Sequence, residues 1–162
     1  ELLKARLAKF GLEIAEDKTR ILPIGRFKGT KEDFDFLGFT FFNTKTHGGK
    51  YRLGVRTSKK KLKAKKQGAK AWLKTRTNKV VSETMVTLAA IVRGHCNYYG
   101  VSGNFMGIQK YWKYVKYETY RMLNRRDQKG KLPFLKFLRI WSFYVPKPHI
   151  TKDIWQWQPK TN

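Results

Sequence analysis

The residues of this sequence that could do chemistry do not assemble into a catalytic set. His95 and Cys96 are adjacent, and neighbours on a helix face different directions, so they cannot work as a thiol–imidazole pair. No Ser, His and Asp stand in a context for nucleophilic attack, and no glycine-rich loop of the P-loop type is present. The only cysteine is Cys96, and the three histidines are His47, His95 and His149. A structural zinc site needs about four ligands at close spacing, which this set does not supply. Glu32, Asp33 and Asp35 are clustered acids that could hold a metal, but they precede a strand in a turn-like stretch and read as solvated turn residues. No metal ligands are expected.

What remains is cation chemistry. Lys59-Lys60-Lys61-Leu62-Lys63-Ala64-Lys65-Lys66 has no acid near it, since none occurs between Asp35 and Glu83. Like charges four apart on a helix repel, and a polyanion relieves that repulsion. The run is therefore expected to track phosphates; its plainest alternative is a solvated helix face. Arg93 and Asn97 share a stripe four residues apart. Gly94, inside the same segment, costs a helix about 1 kcal/mol relative to Ala, which implies either close helix packing or close approach of nucleic acid. His95 reads as a hydrogen-bonded packing residue. Tyr98, Tyr99, Tyr111, Tyr114, Tyr117 and Tyr120 read chiefly as packing residues, with a minority free to touch sugars or bases.

Composition supports that choice of partner. Of 162 residues, 36 are Lys or Arg and 11 are Asp or Glu, a net charge of +25. A content of 41% hydrophobic and 15% aromatic residues excludes a disordered basic tail, and the length buries a real core. A single Cys excludes an intrachain disulfide scaffold. No apolar run approaches the roughly 18 residues of a bilayer span, and no signal peptide is expected, because no apolar stretch follows the first residues. The expected location is the cytoplasm, with no membrane partner. Basic residues gain affinity by displacing counterions from phosphates; an anionic membrane surface is the competing partner. The charge is uneven. Residues 1–35 hold eight basic and seven acidic residues; residues 36–162 hold 28 basic and four acidic.

These residues need elements to position them. Leu3, Leu7 and Phe10 have helical spacing, with Gly11 as the stop. Leu12, Ile14 and the stretch from Arg20 to Ile24 read as short extended pieces. Phe34 to Phe42 is a β-rich run, His47-Gly48-Gly49 a turn, and Tyr51, Leu53 and Val55 alternate after it, which predicts a β-hairpin. Four helices follow. Ser58 caps the first, with a narrow stripe of Leu62, Ala69, Trp72 and Leu73. Ser82 caps the second, where Met85, Leu88, Ala89, Val92, Cys96 and Tyr99 follow the i, i+3, i+4, i+7 spacing. Gly100 to Asn104 breaks it. The third runs from about Met106, with Ile108, Trp112, Val115, Thr119 and Met122 on one stripe. Pro133 opens the fourth, which buries Phe134, Phe137, Leu138, Trp141 and Tyr144 and ends at Val145-Pro146-Lys147-Pro148.

Three groups of residues carry a resemblance. Leu7-Ala8-Lys9-Phe10-Gly11-Leu12-Glu13-Ile14-Ala15-Glu16-Asp17-Lys18-Thr19-Arg20, followed by Phe34-Asp35-Phe36-Leu37-Gly38-Phe39, resembles the end of the palm in reverse transcriptases encoded by group II introns. Arg93-Gly94-His95-Cys96-Asn97-Tyr98-Tyr99-Gly100-Val101-Ser102-Gly103-Asn104 resembles the thumb, or maturase X domain, of that family. Trp112, Leu123-Asn124-Arg125-Arg126 and Pro146-Lys147-Pro148-His149-Ile150 continue the likeness, which covers about residues 5–150 in order.

The resemblance implies an α+β fold: a short β remnant of a polymerase palm with a β-hairpin, followed by a mainly α-helical thumb bundle. The expected divisions are a palm end at 1–43, a hairpin linker at 44–57, a thumb at 58–145 and a C-terminal tail at 146–162. Lys18 matches the accessory lysine thought to act near departing pyrophosphate, where a cation stabilises developing charge. Phe36, Leu37 and Gly38 match the segment that grips the primer. With the cationic run, the expected nucleic-acid contacts are Lys59, Lys60, Lys61, Lys63, Lys65, Lys66, Lys70, Arg93, Asn97, Tyr98, Arg125, Arg126 and Lys147. The expected partners are intron RNA and the RNA–DNA template–primer duplex, with a separate N-terminal polymerase part as a further candidate.

The family's Tyr-x-Asp-Asp motif and its earlier metal-binding Asp would lie before Glu1. Two-metal chemistry needs those carboxylates, so the chain alone is expected to be inactive as a polymerase and to need no cofactor, whereas the intact polymerase would take Mg²⁺. The absence of an initiator Met suggests a fragment or a processed chain. The twelve residues after Ile150 leave no room for the family's DNA-binding and endonuclease domains. Three functions follow: a truncated reverse transcriptase whose thumb binds RNA and assists splicing, one piece of a divided polymerase, or a generic basic RNA-binding protein of ribosomal type without polymerase ancestry.

Overall fold

The computed structural model describes residues 2–15, 19, 25, 32–126 and 130–154. The expected accessory lysine Lys18 and the stretch from Arg20 to Ile24 lie outside the described residues. Helix α1, Leu2–Ala8, buries no residue. It ends at Ala8, and the turn after it reaches Gly11, whose φ of +67° suits glycine; Leu12 to Ala15 belong to no strand.

The architecture is α+β. Strands β1 (Asp33–Phe36), β2 (Phe39–Lys45) and β3 (Tyr51–Thr57) form an antiparallel sheet in chain order. The hairpin about the Gly48-Gly49 turn forms as its alternation predicts: Lys45 pairs with Tyr51, and Phe39 with Thr57. The Phe34–Phe42 run is not a single piece. It turns at Leu37-Gly38, with φ of +48° and +82°, and Phe36 pairs with Phe39 across the turn. Positive φ at both central residues is the hairpin geometry that matches strand twist. Asp33 and Asp35 thus belong to a strand, not to a turn before one. Asp33 accepts from Arg56 at 2.6 Å, and Asp35 from the Thr40 hydroxyl. β2 runs continuously through residues 43 and 44.

The helices are α2 (Lys59–Thr75), α3 (Val81–Tyr99), α4 (Phe105–Arg126) and α5 (Phe134–Tyr144). The Ser58 hydroxyl accepts the Lys61 amide at 3.3 Å, the cap its position predicts. Ser82 is not a cap. α3 starts one residue earlier, and Val80 precedes it with no side-chain cap bond. The α3 stripe of Met85, Leu88, Ala89, Val92, Cys96 and Tyr99 is buried as its period predicts, and it meets Ile108, Val115 and Met122 of α4 in one core. From α5, Phe137 and Trp141 are buried, but Phe134 stays half exposed at the helix start.

Asn104 joins sheet to bundle. It is 1% exposed. Its Oδ1 accepts the Thr57 amide at 2.8 Å, and its Nδ2 donates to the Thr57 hydroxyl and the Tyr99 carbonyl, each at 2.8 Å. Gly107 makes this possible, since a Cβ there would lie 2.2 Å from Asn104 Oδ1. The chain after α5 folds back on the same loop: Thr151 and Lys152 donate to the Gly100 carbonyl, and Ser102 donates to Lys152.

Candidate nucleic-acid interface

The cations of α2 divide by helix face. Lys59, Lys60 and Lys63 point to solvent. Lys66 lies over the Tyr114 ring at 5.2 Å, and Lys70 is 3.9 Å from Glu118, so both are turned towards α4. Lys61 and Lys65, four residues apart, border a groove. None of Lys59, Lys60, Lys61, Lys63 and Lys65 pairs with an acid among the described residues.

The groove lies between α2 and α3 with Tyr111 of α4 beneath, and has a volume of about 780 Å³. Its mouth is closed on one side by the β1–β2 turn. Leu37 and Gly38 line it; the Tyr98 hydroxyl donates to the Leu37 carbonyl at 2.9 Å. Gly38 approaches Tyr99 so closely that a Cβ would sit 2.9 Å from its hydroxyl oxygen. Phe39 stacks on Tyr98 with ring centres 5.9 Å apart. The turn expected to grip a primer is thus brought beside Lys61, Lys65 and Tyr98, although Phe36 itself stays exposed on the strand.

Gly94 faces this groove and does not serve close helix packing: nothing lies within 4 Å of a Cβ built on it. His95 is buried at 6% exposure and stacks on Tyr111 with ring centres 3.7 Å apart. The expected hydrogen bonds are missing, since neither ring nitrogen has a partner among the described residues. Burial, followed by the charge of Lys65, pushes the imidazole pKa from 6.5 down to about 4, so it is neutral. Burial pushes the Tyr111 hydroxyl up to about 12, with Cys96 adding to the shift.

The remaining expected contacts fall elsewhere. Arg93 and Asn97 are exposed on α3 beside the groove without lining it. Arg125 and Arg126 end α4, where Arg125 borders a crevice with Lys70, Lys74 and Arg121. Lys147 lies across the bundle with Lys116 and Arg139, around a cavity of about 470 Å³ walled by Trp112 and Trp141. Tyr111, which reads in the sequence chiefly as a packing residue, lines the groove, as do Ala90 and Ile91, which carry no sequence signal for it. Among the described residues no three His, Cys, Asp or Glu side chains cluster as metal ligands, and no helix is long and apolar enough to cross a membrane.

Comparison with protein families, curated proteins and solved structures finds no match to this chain.

Proposed function

We propose that this chain binds nucleic acid, holding structured RNA and an RNA–DNA duplex as the palm end and thumb of a group II intron reverse transcriptase, and that it assists splicing of the intron RNA. The observation that carries this reading is the convergence of the Leu37-Gly38 turn with Lys61, Lys65 and Tyr98 at one groove. Residues that carry the two halves of the resemblance meet there. The unpaired Lys59, Lys60 and Lys63 extend the cationic surface along α2. Lysines without acidic partners are free to neutralise phosphates, and each phosphate contact releases counterions. On this reading the chain works in the cytoplasm, beside the polymerase part that carries the metal-binding carboxylates.

The test is fluorescence anisotropy of a labelled RNA–DNA duplex titrated with the protein at several salt concentrations. Five phosphate contacts give a log–log slope of about −4. An affinity that does not change with salt overturns the reading.

A further inference from the structure

The groove beneath the turn has the chemistry of a site for a single nucleotide. Among the described residues its lining includes two cations, Lys61 and Lys65, and no acid. Its walls are aromatic and apolar: Tyr98, which is 52% exposed, and the Tyr111–His95 stack. Its volume of about 780 Å³ falls in the range of small-molecule sites, about 300–1,000 Å³.

Two residues have no structural explanation without an occupant. Gly94 sits at an exposed position in the middle of α3, where Ala would favour the helix, and no neighbour requires the missing side chain. His95 holds two unpartnered nitrogens in a buried position, where polar atoms are almost always hydrogen-bonded. A neutral imidazole offers one donor and one acceptor on different sides of the ring, and a polar atom on the edge of a nucleobase pairs with whichever of them faces the groove.

We propose that the groove receives one unstacked nucleotide of a bound RNA strand, its base lying on Tyr98 over the open backbone at Gly94, its phosphate on Lys61 and Lys65, and its polar edge on His95. This rests on the nucleic-acid reading above and names what the groove selects. A paired base is held in its stack; an unpaired one can leave the helix and lie on an aromatic ring. A strand fits better than a free mononucleotide, because Lys59, Lys60 and Lys63 on the same helix continue the cationic track beyond the groove.

The experiment compares two labelled RNA hairpins, identical except that one carries a single bulged adenosine. Each is titrated with the full chain by anisotropy at one salt concentration. The bulged hairpin binds about tenfold tighter, in keeping with one base–aromatic stack. Gly94→Leu fills the groove and removes that preference, so that the variant binds the two hairpins equally, while thermal unfolding shows the fold intact. His95→Phe keeps the ring stack on Tyr111 and reduces the preference severalfold. Equal affinity for the two hairpins in the unaltered chain overturns the inference alone, as does a preference that survives Gly94→Leu. Failure of both hairpins to bind overturns the nucleic-acid reading with it.

Discussion

The Tyr98 hydroxyl donates to the Leu37 carbonyl at 2.9 Å, across 61 residues of chain. With Gly38 seated against Tyr99, this bond fixes the β1–β2 turn over α3 and so shapes the groove. Tyr98→Phe removes only a half-exposed hydrogen bond and costs about 1 kcal/mol. Gly38→Ala costs more, about 2 kcal/mol, because it forces a side chain into a positive φ and against the Tyr99 hydroxyl. Urea midpoints of the two variants check this order; a Gly38→Ala protein as stable as the parent contradicts the docking described.

Asn104 is the more severe site. Asn104→Ala takes their Asn104 partner from the Thr57 amide and the Thr57 hydroxyl in a buried junction, while the Tyr99 carbonyl, which also loses a bond, still accepts from the Val101 amide. Each unsatisfied group costs about 1–3 kcal/mol, so a loss of at least about 2 kcal/mol is expected in chemical denaturation. A loss below about 1 kcal/mol shows that sheet and bundle are joined by other contacts.

His95 gives the fold an acid-sensitive point. The imidazole is neutral in the folded chain because burial, with the charge of Lys65 behind it, depresses its pKa from 6.5 to about 4. In the unfolded chain it takes a proton near pH 6.5, so its contribution to stability is complete above that pH and is lost as pH falls towards 4. At about 1.4 kcal/mol per unit, the loss is on the order of 3 kcal/mol. Tyr99 and Tyr111 beside the ring, whose hydroxyls burial pushes up, keep their protons throughout this window. Urea midpoints at pH 7 and pH 4.5, compared between the parent and His95→Phe, isolate the effect; the variant loses less on acidification.

Gly94 and Gly68 both lie inside helices with nothing within 4 Å of a built Cβ. Ala at either position raises stability by about 0.5–1 kcal/mol, read as a shift in the thermal midpoint. Gly94→Ala lowering the midpoint would mean that α3 needs the glycine for packing.

The helices and the β2–β3 hairpin were legible because their signals are local. Alternation about Gly48-Gly49 and the α3 stripe from Met85 to Tyr99 each lie within one element. The Leu37-Gly38 turn was not legible: Leu is a poor candidate for φ of +48°, and what holds it there comes from Tyr98 and Tyr99. The sorting of the lysines was hidden for the same reason. Lys66 and Lys70 read as members of the phosphate face, but Tyr114 and Glu118 on α4 draw them inward. The groove itself depends on a turn and three helices, so no sequence window contains it. Phe134 fits the apolar period of α5 and stays half exposed at its start.

The central claim is that the outer face of α2 tracks phosphates. Replacing Lys59, Lys60 and Lys63 with Ala removes three exposed cations that have no acidic partner among the described residues, so stability changes little. The direct measurement is the salt dependence of affinity for a labelled RNA–DNA duplex, parent against triple variant. The account predicts a log–log slope shallower by about 2 to 3, with weaker binding at every salt concentration. Identical slopes and affinities would show that these lysines form a solvated face and contradict the account.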